Sequence, residues 1–162
     1  MRIRQLMLTA VLILLGISLT GCFTKKPPPP SLLVAKFLTS SHLNPNADGA
    51  PSPVIVRLYE LKSAGNFKNN DFFSLFDDES NVLADDLVAR DELRFNPNET
   101  KTINRELNPA TRHIGILVAF RDLDKANWRS VIQITEHEIN AYTILLGRNE
   151  ISISESQPAA DE

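Results

Sequence analysis

Apolar positions along the chain fall into short runs, several with a period near two, separated by clusters of Pro, Gly, Asn, Asp and Ser. Leu32–Leu38 reads as a strand broken only by Lys36, and Val54–Leu61 (VIVRLYEL), entered through Pro53, as a second. Leu87–Phe95 and Thr100–Leu107 are weaker strands flanking Asn96-Pro97-Asn98-Glu99, a turn-forming cluster. His113–Arg121 (HIGILVAFR) is apolar at consecutive positions, as a central strand covered on both faces would be. Arg129–Thr135, Tyr142–Leu146 and Glu150–Ser154 complete the set. In the last, Ile151 and Ile153 alternate with Ser152 and Ser154, and Gly147-Arg148-Asn149 supplies a tight hairpin turn before it. Short strands at this spacing predict an all-β fold, a two-sheet antiparallel β-sandwich.

One region breaks the pattern. Asn70–Asp86 (NDFFSLFDDESNVLADD) places Phe72, Phe73, Leu75 and Phe76 on a near-helical spacing. Asn70 or Asp71 suits the N-cap, and Ser80 suits the start of a second short turn toward Leu83. A short helical insertion is therefore expected, covering one edge or end of the sandwich and packing its phenylalanines onto the sheets. Covering an edge would also protect it from unwanted pairing.

The chain begins differently. Arg2 and Arg4 precede an apolar stretch from Leu6 to Leu19, too short to span a bilayer comfortably and suited to a secretory h-region. It ends in Leu19-Thr20-Gly21-Cys22, which resembles the bacterial lipobox. That resemblance implies cleavage between Gly21 and Cys22, diacylglycerol on the Cys22 sulfur, and an N-acyl chain on the new amino terminus. A thiol is the best side-chain nucleophile for forming a thioether, and small residues before it admit a peptidase. An Asp after the cysteine is the inner-membrane retention signal of enterobacteria; Phe23 stands there, which favours the outer membrane. Pro27–Pro30 then favour polyproline II, a semi-rigid spacer rising about 3.1 Å per residue. The expected organisation is a signal peptide over 1–21, a lipidated cysteine and tether over 22–30, a sandwich domain over 31–154 and a flexible polar tail over 155–162.

Composition narrows the function. The chain has 162 residues, a formal charge of −3, and one cysteine. The length suits a single domain, and the acidic excess argues against a nucleic-acid partner. Removing residues 1–21 takes away Arg2 and Arg4 and no carboxylate, which moves the charge from −3 to −5. One cysteine excludes an intrachain disulfide, a zinc ribbon and a CxxC redox pair. No Gly-x-Ser-x-Gly, P-loop or His-Glu-x-x-His motif occurs, and His42, His113 and His137 lie too far apart in sequence for a close metal-ligand pair. The Asp77-Asp78-Glu79 and Asp85-Asp86 clusters lack the glycine and spacing of an EF-hand loop and read as solvated turns. Trp128 reads as core, with Arg121 and Arg129 flanking its turn and placed to pair with Asp122 or Asp124.

A set of segments ordered along the chain resembles one family. Asn44-Pro45, Asp48-Gly49-Ala50-Pro51-Ser52-Pro53-Val54 and Val56-Arg57-Leu58-Tyr59-Glu60-Leu61 are followed by Phe67, Asp71-Phe72-Phe73-Ser74-Leu75-Phe76 and Leu83/Asp86-Leu87. Ala119-Phe120-Arg121-Asp122 and Ala126-Asn127-Trp128-Arg129 close the series. Together, with the lipobox in place, they resemble the TssJ (SciN, VasD) family of type VI secretion outer-membrane lipoproteins. The resemblance implies a transthyretin-like β-sandwich with added helical turns, no enzymatic activity, and no cofactor beyond the covalent lipid on Cys22. It implies a role in holding the periplasmic part of the inner-membrane protein TssM at the outer membrane, with TssL completing the membrane complex. It also implies that the loop between the first two strands binds TssM.

That loop is Ser40–Pro53 (SSHLNPNADGAPSP), with His42, Leu43, Asn44, Pro45, Asn46, Ala47, Asp48, Gly49, Ala50 and Pro51 as its candidate contact residues. Three prolines, one glycine and two asparagines in fourteen residues predict a loop ordered by turns, with little entropy left to lose on binding. Leu43, its one sizeable apolar residue, is the expected anchor. By its residues alone the segment equally suits a long β–β connection with no partner. They also admit a ligand- or glycan-binding lipoprotein sandwich unrelated to secretion, which needs a cleft with exposed aromatics. A hydrolytic lipoprotein would need a nucleophile–base pair that the motifs do not supply.

Overall fold

The computed structural model describes residues 26–156, so the segment carrying the signal peptide and Cys22 lies outside the described residues, as do residues 157–162. Eight strands are described: β1 (Leu32–Thr39), β2 (Val54–Leu61), β3 (Leu87–Phe95), β4 (Thr100–Glu106), β5 (His113–Val118), β6 (Arg129–Gln133), β7 (Ile139–Leu146) and β8 (Ile151–Glu155). They form two four-stranded sheets, with orders β4-β1-β7-β8 and β3-β2-β5-β6. The segments read as strands are all strands, with ends shifted by a few residues. The antiparallel expectation needs one correction: β1 and β7 pair in parallel, Leu32 against Ile139 through Thr39 against Leu146. Alternation of apolar side chains fixes which face is buried but carries no strand direction. The remaining strand pairs are antiparallel.

Between the sheets lies a core built from alternate residues of the inner strands. Phe37 of β1 and Phe95 of β3 meet with ring centroids 4.8 Å apart, among Val56, Ile116 and Ile144. The second sheet is apolar on its other face too. Tyr59, Leu61 and Leu117 point away from the first sheet and pack against three short helices, α1 (Gly65–Asn69), α2 (Phe72–Asp77) and α3 (Glu79–Leu83). The insertion thus covers the outer face of that sheet and not the expected edge or end, because β2 and β5 present apolar side chains on both sides. Phe67, Phe72, Leu75 and Leu83 are its buried contacts.

Of Phe72, Phe73 and Phe76, only Phe73 departs from the expected packing. Phe73 is 63% exposed, packing only edge-on to Phe72, because the turn that buries Phe72 and Leu75 points position 73 outward. Phe76 is half-buried, its ring 3.8 Å beneath the Arg57 guanidinium. Arg57 fastens this layer to the sheet: it donates to the Phe76 carbonyl (2.6 Å) and pairs with Glu79 (3.1 Å) and Glu92 (2.8 Å). Burial opposes the Arg57 charge, but Glu92, Tyr59 and Glu79 outweigh it and raise its pKa. Tyr59 donates to Glu79 (2.9 Å), and burial, reinforced by that carboxylate, pushes its hydroxyl well above the usual tyrosine range. Asp71 is the N-cap of α2: its carboxylate accepts from the Ser74 hydroxyl (2.6 Å) and backbone N–H (3.0 Å), which hold its pKa down. Ser80 is not a cap; α3 starts one residue earlier, after Asp78.

Gly115 sets how closely this layer approaches. A Cβ there would stand 3.0 Å from both Leu61 Cδ1 and Phe67 Cζ, and the Phe67 side chain is fully buried. Gly115→Ala should therefore destabilise the fold by about 1–3 kcal/mol, the usual cost of overfilling a packed core, as measured by urea unfolding.

Candidate functional site

The two ends of the sandwich are built from different segments. The prolines Pro27–Pro30 are exposed and enter at the start of β1, where His137 Nδ1 meets the Pro29 carbonyl (2.8 Å) and the His137 N–H donates to Ser31 Oγ (2.8 Å). Every strand of odd number runs from this end to the other. The far end therefore gathers the β1–β2 loop, the β3–β4 turn, the β5–β6 connection and the β7–β8 turn. Hydrogen bonds cross between them: Thr39 N–H to the Glu99 carbonyl, Asn44 N–H to the Arg148 carbonyl and Asn127 N–H to the Asn149 carbonyl, each 2.9 Å.

The β1–β2 loop spans the predicted residues Ser40–Pro53, and its order does come from turns. Asn46 is the hub of its tip. Its Oδ1 accepts from the N–H groups of Asp48 (3.0 Å) and Ala50 (2.8 Å), and its own N–H donates to the Ala50 carbonyl (2.8 Å). Gly49 takes φ of +81° to close that turn, a backbone geometry that favours glycine. Ala47, Asp48, Gly49, Ala50 and Pro51 are exposed, as is His42, while Pro45 and Asn46 are half-buried.

Leu43 is not an exposed anchor. It is 0% exposed and packs in the inter-sheet core, pinning the loop from below. A polar sequence neighbourhood concealed this, because a loop crossing the open end of a sandwich must plug it with something apolar. Asn44 is buried as well and takes φ of +43°, a left-handed conformation that asparagine tolerates better than most residues. Its amide closes the loop on itself and on a neighbour: Nδ2 donates to the Pro53 carbonyl (2.8 Å), and Oδ1 accepts from the Arg121 N–H (2.8 Å). With its backbone bond to Arg148, Asn44 thus joins three loops. The sequence signal for it was the Asn44-Pro45 pair, a turn dipeptide.

The expected ion pairs of the β5–β6 connection are rearranged. Asp122 pairs with Lys125 (3.1 Å), whereas Arg129 donates to the carbonyls of Phe67 and Asn70 and lies 4.7 Å over the Trp128 ring. Arg129 faces the helical layer, out of reach of the acidic turn. Trp128 is half-buried between the two apolar clusters, edge-on to Phe72. His42, His113 and His137 are not brought together, and among the described residues no group of three His, Cys, Asp or Glu could hold a metal.

The comparisons agree with this architecture. Residues 32–149 match the family described as type VI secretion lipoprotein, with VasD, EvfM and TssJ among its names. The chain belongs to this family. It is similar to the type VI secretion lipoprotein TssJ1 of Pseudomonas aeruginosa, at 38% identity and a TM-score of 0.79, over 82% of this chain and 100% of that one. It is also similar to Serratia marcescens Lip, a membrane-bound component of the type VI secretion system, at 25% identity and 0.73, over 80% and 99%. A chain of a type VI membrane complex shares the fold at 24% identity and 0.68, over 76% and 97%. No curated protein gives a significant match.

Membership of a secretion-system lipoprotein family removes the reading of a ligand- or glycan-binding lipoprotein unrelated to secretion. It leaves the loop chemistry to the residues themselves. Leu43→Ala should cost about 2–5 kcal/mol by emptying part of the core. Asn44→Ala should cost about 2–4 kcal/mol by orphaning the Arg121 N–H and the Pro53 carbonyl and by straining alanine in a left-handed backbone. Both losses are read by chemical denaturation, and neither is expected of a residue that serves only as a surface contact.

Proposed function

We propose that this chain is a non-catalytic tether of the type VI secretion membrane complex, holding the periplasmic domain of TssM at the outer membrane in a complex that TssL completes. Cys22 carries the acyl chains, Gly21 and Cys22 flank the cleavage point, and the proline stretch spaces the domain from the bilayer. The exposed tip of the β1–β2 loop meets TssM. One observation carries the reading: the proline entry and the four-loop surface occupy opposite ends of the sandwich. The eight residues of β1 rise about 3.3 Å each, which separates the two ends by roughly 26 Å. A domain leashed at one end then offers its loops toward the interior of the periplasm.

Family membership supports the lipid, since the family is one of lipoproteins. Two or more acyl chains, at about 0.8 kcal/mol per buried methylene, give an anchor that does not dissociate on a useful timescale. Such an anchor confines the loop surface near the membrane, and a high effective concentration turns a modest interface into a durable bridge. The internally bonded loop adds to this by losing little entropy when it docks.

Replacing the tip Ala47–Ala50 with a shorter turn should abolish capture of the TssM periplasmic domain in a pull-down while leaving the melting transition nearly unchanged. Retained capture would refute the loop assignment. Cys22→Ser should remove the protein from the outer-membrane fraction; persistent outer-membrane fractionation would remove the lipid anchor from the account.

A further inference from the structure

Beside the loop tip, the β1–β2 loop, the β5–β6 connection and the β7–β8 turn border an open pocket of about 410 Å³. Its walls include Pro45, Ala47 and Phe120, and both Arg121 and Arg148 border it. Two arginines at the rim of one pocket leave their guanidinium groups free to meet an anionic partner. The acidic side chain at the same cavity, Asp122, is engaged by Lys125 (3.1 Å). Among the described residues the other ion pairs use Arg57, Arg90, Arg105 and Arg112, and neither Arg121 nor Arg148 joins one. Both arginine side chains are exposed on a chain whose formal charge is −3. The pocket border thus carries two arginines and one aspartate on a chain that is acidic overall.

The backbone holds both arginines in place. Asn44 accepts from the Arg121 N–H and donates to the Arg148 carbonyl, so one buried residue fixes the chain positions from which both guanidinium groups extend. Arginine presents a planar fork of donors matched to a carboxylate, and a fixed base lowers the entropy lost when it engages. Phe120 and Pro45 supply an apolar wall against which the methylenes of an entering side chain would pack.

We infer that this cavity receives an Asp or Glu side chain of the partner segment that docks on the β1–β2 loop, its carboxylate bound by Arg121 and Arg148. The inference rests on the TssM reading above and adds the chemistry of the contact. The tip then supplies shape, and the arginine pair supplies charge selection and salt sensitivity.

The test uses the full-length lipoprotein in detergent and the TssM periplasmic domain as probe, with Kd measured at low and high sodium chloride. The variant is Arg121→Gln/Arg148→Gln, whose melting transition should stay near that of the parent because neither side chain is buried or ion-paired. Its Kd should rise about ten- to a hundredfold, the loss of one or two charge-assisted hydrogen bonds, and most of the salt dependence should vanish. If the variant binds as tightly as the parent, the carboxylate assignment is wrong while the loop reading stands. Parent protein that does not bind TssM at all overturns both. Binding of inorganic phosphate at the cavity, with TssM capture indifferent to the two substitutions, marks a small-anion site and also overturns the inference. Should the Gln pair fail to melt cooperatively, Arg121→Lys/Arg148→Lys replaces it. Keeping charge but losing the fork, it should weaken binding several-fold, and an unchanged Kd counts against the inference.

Discussion

The second sheet is apolar on both faces, and that constraint organises the rest. A sheet with Val56, Leu58 and Ile116 on one side and Tyr59, Leu61 and Leu117 on the other must be covered twice. The first sheet covers one face and the three short helices the other. Arg57 then joins the outer layer to the strand beneath it through Phe76, Glu79 and Glu92. With both faces of the second sheet occupied, variation is left to the strand ends, where the tether enters at one pole and four connections meet at the other. The layering leaves the two ends of the sandwich as the surfaces that no other layer covers.

At the displaying end the organising residue is Asn44. The long loop pairs with no strand, so ladder bonds do not order it. Order comes instead from one buried amide and its backbone N–H, which serve three loops at once, and from Leu43 plugged into the core below. This gives a firm base with a small exposed tip built around Asn46. Residues that sequence grouped as one contact surface therefore divide by depth: Leu43 and Asn44 position, while Ala47 through Pro51 are presented.

Much of the fold was legible because alternation and turn residues act locally. Val54–Leu61 and Leu87–Phe95 begin and end as strands where their patterns do, and HIGILVAFR is central because both of its faces are apolar. The parallel β1–β7 pair was not legible, since strand direction depends on where distant segments meet. The position of the helical layer was half legible: the spacing of Phe72 and Leu75 revealed the helix, but the sheet face it covers is settled by Tyr59, Leu61 and Leu117 together. Leu43 was misread for a related reason. A lone leucine among polar residues looks like an exposed anchor until the open end of the core beneath it is known. Arg129 paired with carbonyls and an indole because its strand turned it away from Asp122 and Asp124.

The central claim is that the partner meets the four-loop end, opposite the tether. Hydrogen–deuterium exchange of the lipoprotein with and without the TssM periplasmic domain tests it most directly. Protection confined to residues 40–53, 119–128 and 147–150 is the result this account predicts. Protection centred on the helical layer around Phe73, or on the outer face of the first sheet, with the loop end unchanged, would contradict it.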